Sequence, residues 1–329
     1  MSRIDECIEQ YRDWCAKLGI VTISDLNQMI TRGEVNRLIN LSEIWQEQKI
    51  SEIAKDIKDN IEKRKIILIS GPSSSGKTSF ANRLSLHLKV LGIGSLALSL
   101  DDYYLPAELI PSNEKGEKDL ETIEAIDYAH FNRDIESLIT GRETDLPIFD
   151  FITARPSDRV KRVSLCENEV IIVEGIHGLN PKLLSNISDE NKYKIYCSAL
   201  TALRRDDMTK INSRTTRLIR RIIRDHFFRG TSAKDTLLRW RSVEEGAAKH
   251  IFPYTDNADI IFNSSLLYEH CVYKIYLNEL LFGMTDGTSG YETVQELSDL
   301  INRFKLIDRD MVPRTSLVRE FVGGSTLIE

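Results

Sequence analysis

Residues 65–80, KIILISGPSSSGKTSF, run from an apolar stretch through a glycine-bounded turn into an amphipathic segment, and they narrow the options for this chain more than any other stretch. KIILIS carries a strong strand signal. The next residues fit G-x-x-x-x-G-K-[ST] in full, with Gly71, Gly76, Lys77 and Thr78 in the fixed places and Ser73, Ser74 and Ser75 between them. Glycine admits backbone conformations that a Cβ obstructs, so successive N–H groups can turn inward on one anion. A helix starting near Lys77, with Ser79 in its first turn, adds unpaired amides and a favourable dipole. In such a loop the lysine reaches the β- and γ-phosphates and the threonine hydroxyl ligates Mg²⁺. ATP and Mg²⁺ are therefore the expected cofactors.

Strand and helix signals alternate from there on. A helix carrying Phe80, Leu84, Leu88 and Leu91 ends at Gly92. Strands are predicted over 94–100, 146–151, 170–173, 193–197 and 258–263, and helices over 121–139, 213–229 and 234–248. Alternation of this kind implies a parallel sheet with right-handed crossovers. The expected fold is α/β, a three-layer nucleotide-binding architecture with a parallel central sheet and helical segments at both ends. Three regions are expected: a helical segment 1–62, a phosphate-binding domain 63–265, and a helical extension 266–329 broken by Gly283, Gly287 and Gly290.

Bulk properties remove several classes. With 329 residues and 41% hydrophobic content the chain can bury a full core, and its net charge of −6 argues against a protein that coats nucleic acid. No uncharged apolar run is long enough for a membrane span, and nothing resembles a signal peptide. Five scattered cysteines without CxxC spacing fit reduced thiols, hence a cytoplasmic expectation. The expected partner is a small molecule, and a homo-oligomer is left open.

An acid for the metal is expected at the carboxyl end of a neighbouring strand. VIIVEG offers Glu174 and LALSLDD offers Asp101 and Asp102, although such acids also serve as turn residues or caps. Glu174 suits the metal shell, which leaves Asp101 to accept a proton from an incoming hydroxyl. A GTPase would carry N-K-x-D; NKYK at 191–194 lacks the aspartate. A kinase needs cations over the moving phosphoryl group. RTTRLIRRIIRDHFFRG (214–230) sets Arg217, Arg220, Arg221 and Arg224 on one helical face, with Arg229 beyond them. That stripe can be a solvated ion-paired surface, a nucleic-acid face or a phosphate lid, and its shortage of acids favours the lid.

Taken in order, GPSSSGKTSF, SLDDYY, PIFDF, IIVEGI and RLIRRIIRDHFFRG resemble the uridine kinase/phosphoribulokinase group of P-loop kinases. SVEEGAAKHIFPYTDNADIIFNSSL (242–266) and LVREFVGGS (317–325) look closer still to a bacterial nucleoside-kinase branch related to threonyl-tRNA synthetase N-terminal regions. The resemblance implies an ATP- and Mg²⁺-dependent kinase for a primary hydroxyl of a nucleoside. By position it makes Asp101 the general base, Tyr104 an aromatic contact near the nucleoside, Glu124 an acid on the ribose hydroxyls, and Phe149 a ring near the base. It places Glu174 beside magnesium, and Arg221, Arg224 and Arg229 at the lid or acceptor.

Departures concern the acceptor. Where uridine kinases carry a histidine after the YDF segment, this chain has Ala154 and Arg155; it has Arg239 before Trp240 in place of a glutamine, and Thr231 in place of a lid arginine. Losing groups that pair with a base weakens discrimination. Arg155 and Arg239 would suit a charged acceptor, so a kinase for a sugar phosphate or pantothenate-like alcohol is the runner-up. A protein that grips ATP and contacts RNA without transfer is the alternative from another class.

Overall fold

The computed structural model describes residues 2–112, 116–150, 153–284 and 290–327. Its helices are α1 (Arg3–Lys17), α2 (Ile23–Thr31), α3 (Val35–Asp59), α4 (Lys77–Val90), α5 (Tyr128–Ile139), α6 (Ser213–Arg229), α7 (Ala233–His250), α8 (Glu269–Leu281), α9 (Tyr291–Asn302) and α10 (Arg319–Val322). The strands are β1 (Ile66–Ser70), β2 (Gly94–Ser99), β3 (Thr144–Asp150), β4 (Arg155–Val163), β5 (Glu169–Glu174), β6 (Lys192–Ser198) and β7 (Ile260–Asn263). Five of them form a parallel sheet in the order β2-β5-β1-β6-β7. Burial on both faces explains the unbroken apolar runs in β1 and β5.

Alternate residues of the sheet enter separate cores. Ile67, Ile69, Val170, Ile172, Ile195 and Cys197 face a large core that also takes Tyr11, Leu38 and Ile50 from the N-terminal helices and Phe304, Leu317 and Phe321 from the C-terminal segment. Ile66, Leu68, Leu98, Ile171 and Val173 face the opposite core, closed by Phe131, Ile135 and Leu138 of α5. The chain is thus a three-layer α/β fold. Both terminal segments cover the same sheet face.

Two predicted elements come out differently. The helix expected over 121–139 starts only at Tyr128, where Asp127 caps the His130 N–H. Residues 123–125 form a 3₁₀ turn, and the surrounding segment pairs with 103–105 through the Leu105 N–H to Ala125 carbonyl and Asp127 N–H to Tyr103 carbonyl bonds. Those tertiary bonds hold the backbone away from helical geometry. The extended stretch at 146–151 is β3, with Phe151 outside the described residues, and it pairs antiparallel with β4. The sequence gives no strand signal for β4, because this hairpin arm is exposed nearly throughout and lacks apolar alternation. Gly283 and Gly290 break the C-terminal helices in left-handed conformations, and Gly287 lies outside the described residues. All five cysteines are free. Among the described residues no helix is long and apolar enough to cross a membrane.

Candidate active site

Three adjacent strands end at one place. The 71–76 loop leaves β1, Glu174 closes β5 in register with Ile69, and Ser99 ends β2 opposite Glu174. Two residues beyond Ser99, in a short 3₁₀ turn, sits Asp101. Ligands bind beyond the carboxyl ends of such strands.

Backbone geometry explains the glycines. A Cβ on Gly71 would stand 2.1 Å from the Cys197 carbonyl oxygen, and Gly76 is left-handed at φ 88°. The loop's carbonyls are held from outside: Arg217 Nε donates to the Ser73 carbonyl at 3.0 Å, and Arg220 Nη1 to the Ser75 carbonyl at 3.3 Å. Arg221 Nη1 and Arg224 Nη2 reach Ser73 Oγ at 2.9 and 3.4 Å. The arginine stripe is therefore turned inward. Arg217 and Arg220 are buried and paired with Glu244 and Glu269, while Asp225 gathers Arg221, Arg224 and Arg229. Burial and the neighbouring Arg229 bring Arg224 down to about 10, a crowding that an inserted anion relieves.

Lys77 Nζ donates to the Gly71 carbonyl at 2.9 Å. Thr78 Oγ1 donates to Glu174 Oε1 at 3.5 Å, and Ser99 Oγ to the same oxygen at 3.3 Å. Burial lifts Glu174 to about 7, opposed by Lys77 and reinforced by Asp101 and Glu320. A hydroxyl and an undercompensated carboxylate side by side suit a hard cation such as Mg²⁺, which takes few protein ligands and completes its shell with phosphate and water. Burial likewise raises Asp101, while Lys77, Arg229 and Arg224 pull it down. Its neighbour Asp102 has another task, accepting the Phe149 N–H at 3.2 Å and so tying the hairpin to the site.

The expected acceptor residues divide. The rings of Tyr104 and Phe149 lie 5.9 Å apart, and Asp101 and Glu121 act electrostatically on Tyr104. Glu124 stands apart, exposed and ion-paired with Lys182, which together with Thr122 holds its carboxyl down at about 2. Arg155 is exposed on the hairpin and paired with Glu108. The structure does not bring either of them into the cluster; solvent-facing ion pairs take both. Glu121 takes that place. Its Oε2 is buried without a hydrogen-bond partner, burial raises its carboxyl, and Arg221, Lys77 and Arg217 oppose the rise. Gly246 of α7 makes room for it, since a Cβ there would lie 2.5 Å from Glu121 Cβ. The reading of Glu124 rested on its position in the family resemblance, and no local pattern marks Glu121, whose Oε2 is buried by the tertiary fold of this non-helical segment. It also missed Glu320, whose carboxylate reaches Ser79 from the C-terminal segment.

Comparison with known proteins finds kinases among the relatives of this chain. Uridine-cytidine kinase C of Dictyostelium discoideum is 32% identical over 118 residues, covering 36% of this chain and 24% of its own length. A uridine kinase of Saccharomyces cerevisiae is 30% identical over 206 residues, 60% of this chain and 36% of that protein. A uridine kinase of Staphylococcus aureus is 29% identical over 197 residues, 60% of this chain and 86% of that protein. The matched part thus spans about a quarter and about a third of the first two relatives. Residues 66–267, from β1 to just beyond β7, match one described family over more than half of the chain, and with it this protein belongs to the phosphoribulokinase/uridine kinase family.

Proposed function

We propose that this chain transfers the γ-phosphoryl group of ATP, with Mg²⁺, to a primary hydroxyl of a nucleoside-like acceptor. The observation that carries this reading is the placement of Asp101: a half-buried carboxylate two residues past the end of the strand that pairs with β5, within the electrostatic influence of Lys77, Arg229 and Arg224. The loop amides and Lys77 hold the donor phosphates. Thr78 and Glu174 would hold Mg²⁺, which supplies charge neutralisation on the phosphates. Asp101 accepts the hydroxyl proton, and the raised affinity for protons that burial confers makes it a better base than a solvated carboxylate. Arg224 and Arg229 offset charge spreading over the equatorial oxygens.

Tyr104 and Phe149 offer rings to a planar base, and Glu121 offers a carboxylate to hydroxyls. The uridine kinases among the relatives favour the same acceptor class. The RNA-binding alternative loses part of the contact surface it would use, because Arg217 and Arg220 are buried against the loop. Purified protein given ATP, Mg²⁺ and a panel of nucleosides, sugar phosphates and pantothenate-like alcohols should release ADP with a nucleoside, and Lys77→Ala should abolish the release. ADP release with a phosphorylated sugar alone would replace the acceptor, and none with any alcohol would remove the activity.

A further inference from the structure

Glu320 lies outside the family match, yet its carboxylate stands in the phosphate site. Oε2 accepts the Ser79 N–H at 3.2 Å and the Ser79 hydroxyl at 2.6 Å. Ser79 is in the first turn of α4, whose amides have no intrahelical acceptor. In a loop of this kind those amides cradle the α- and β-phosphates. The C-terminal segment reaches this point by close packing: the Leu317 methyl groups sit where a Gly76 Cβ would meet them at 2.9 Å, and the Phe321 ring lies 5.0 Å from the Arg220 guanidinium. Glu320 also acts electrostatically on Glu174, Arg220 and Arg224.

We infer that Glu320 is a donor-site residue that sets nucleotide affinity, its carboxylate occupying the Ser79 amide until a donor phosphate displaces it. This rests on the kinase reading above and adds a means of regulating the same site. Two anions cannot share one amide, so binding requires Glu320 to leave. The segment as a whole does not lift, because Leu317, Val318 and Phe321 are fully buried and anchor it. The side chain alone turns. A cavity of about 440 Å³ bordered by Thr78, Arg224, Phe228, Arg229 and Gly323 lies beside it, with the volume of a small-ligand site. Glu320 is consequently a restraint on donor binding, and removing its charge tightens the site.

Isothermal titration of the full chain with ATP and Mg²⁺ tests this on wild type, Glu320→Gln and Glu320→Ala, with thermal unfolding to show that each variant is folded. The expected result is a dissociation constant lowered by roughly tenfold in both variants, about the effect of one charge-assisted hydrogen bond. A wild type that binds ATP, with folded variants that bind it no tighter or more weakly, overturns the role of Glu320 and leaves the kinase reading standing. A wild type that binds no ATP overturns both.

Discussion

Thr78 and Glu174, 96 positions apart in sequence, meet with the threonine hydroxyl 3.5 Å from the glutamate Oε1. They come together because β1 and β5 are parallel neighbours that end in register, so whatever follows either strand faces the same cleft. A carboxylate in that position is poorly solvated, and the hydroxyls of Thr78 and Ser99 donate to it.

Its titration gives a test. Glu174 ionises near its ordinary 4.5 in the unfolded chain and at about 7 when folded, so between those values the folded state binds more protons. Stability from this group is complete below the lower value and is lost as pH rises through the upper one. Metal-free protein should lose melting temperature between about pH 4.5 and 7, and Glu174→Gln should flatten that slope. Calorimetry across the range decides; an unchanged slope in the variant counts against the assignment.

Replacing Asp101 by Asn keeps the shape and removes the proposed base. We expect kcat to fall by about 10²–10⁴-fold, with the ATP dissociation constant near that of wild type. Steady-state kinetics paired with nucleotide titration checks both halves, and a variant with full activity would show that another group takes the proton.

Glu121 and Glu124 are three residues apart and differ in surroundings. Glu121→Gln should raise the acceptor KM by roughly 10–100-fold, as expected for a charge-assisted hydrogen bond in a buried site. Glu124→Gln should leave it unchanged, because that side chain is engaged with Lys182. Reversal of the two effects in acceptor saturation curves would restore Glu124 to the acceptor.

The Arg220–Glu269 pair, 2.8 Å apart and wholly buried, supports the loop from behind. Glu269→Ala leaves an uncompensated guanidinium and should cost about 3–5 kcal/mol in urea unfolding. It should also weaken ATP binding, since Arg220 holds the Ser75 carbonyl. Unfolding midpoints equal to wild type would contradict the first expectation.

Local chemistry made part of this protein legible in one dimension. The strand, loop and helix of 65–80 are neighbours in the chain, and a buried strand announces itself by an apolar run, so the α/β fold and the acids at strand ends could be read directly. Exposed β4 carried no such signal. Helical spacing did put four arginines on one face, but it could not say whether solvent, phosphate or backbone carbonyls lay opposite. That depended on where α6 packs. The burial of Glu121 and the exposure of Glu124 go with the non-helical backbone held by bonds between 103–105 and 125–127, and the arrival of Glu320 at Ser79 followed from the burial of Leu317 and Phe321. Sequence determined what is decided between adjacent residues; tertiary structure decided which distant groups share one volume, because the choice among partners far apart in the chain is made by packing rather than by local conformational preference.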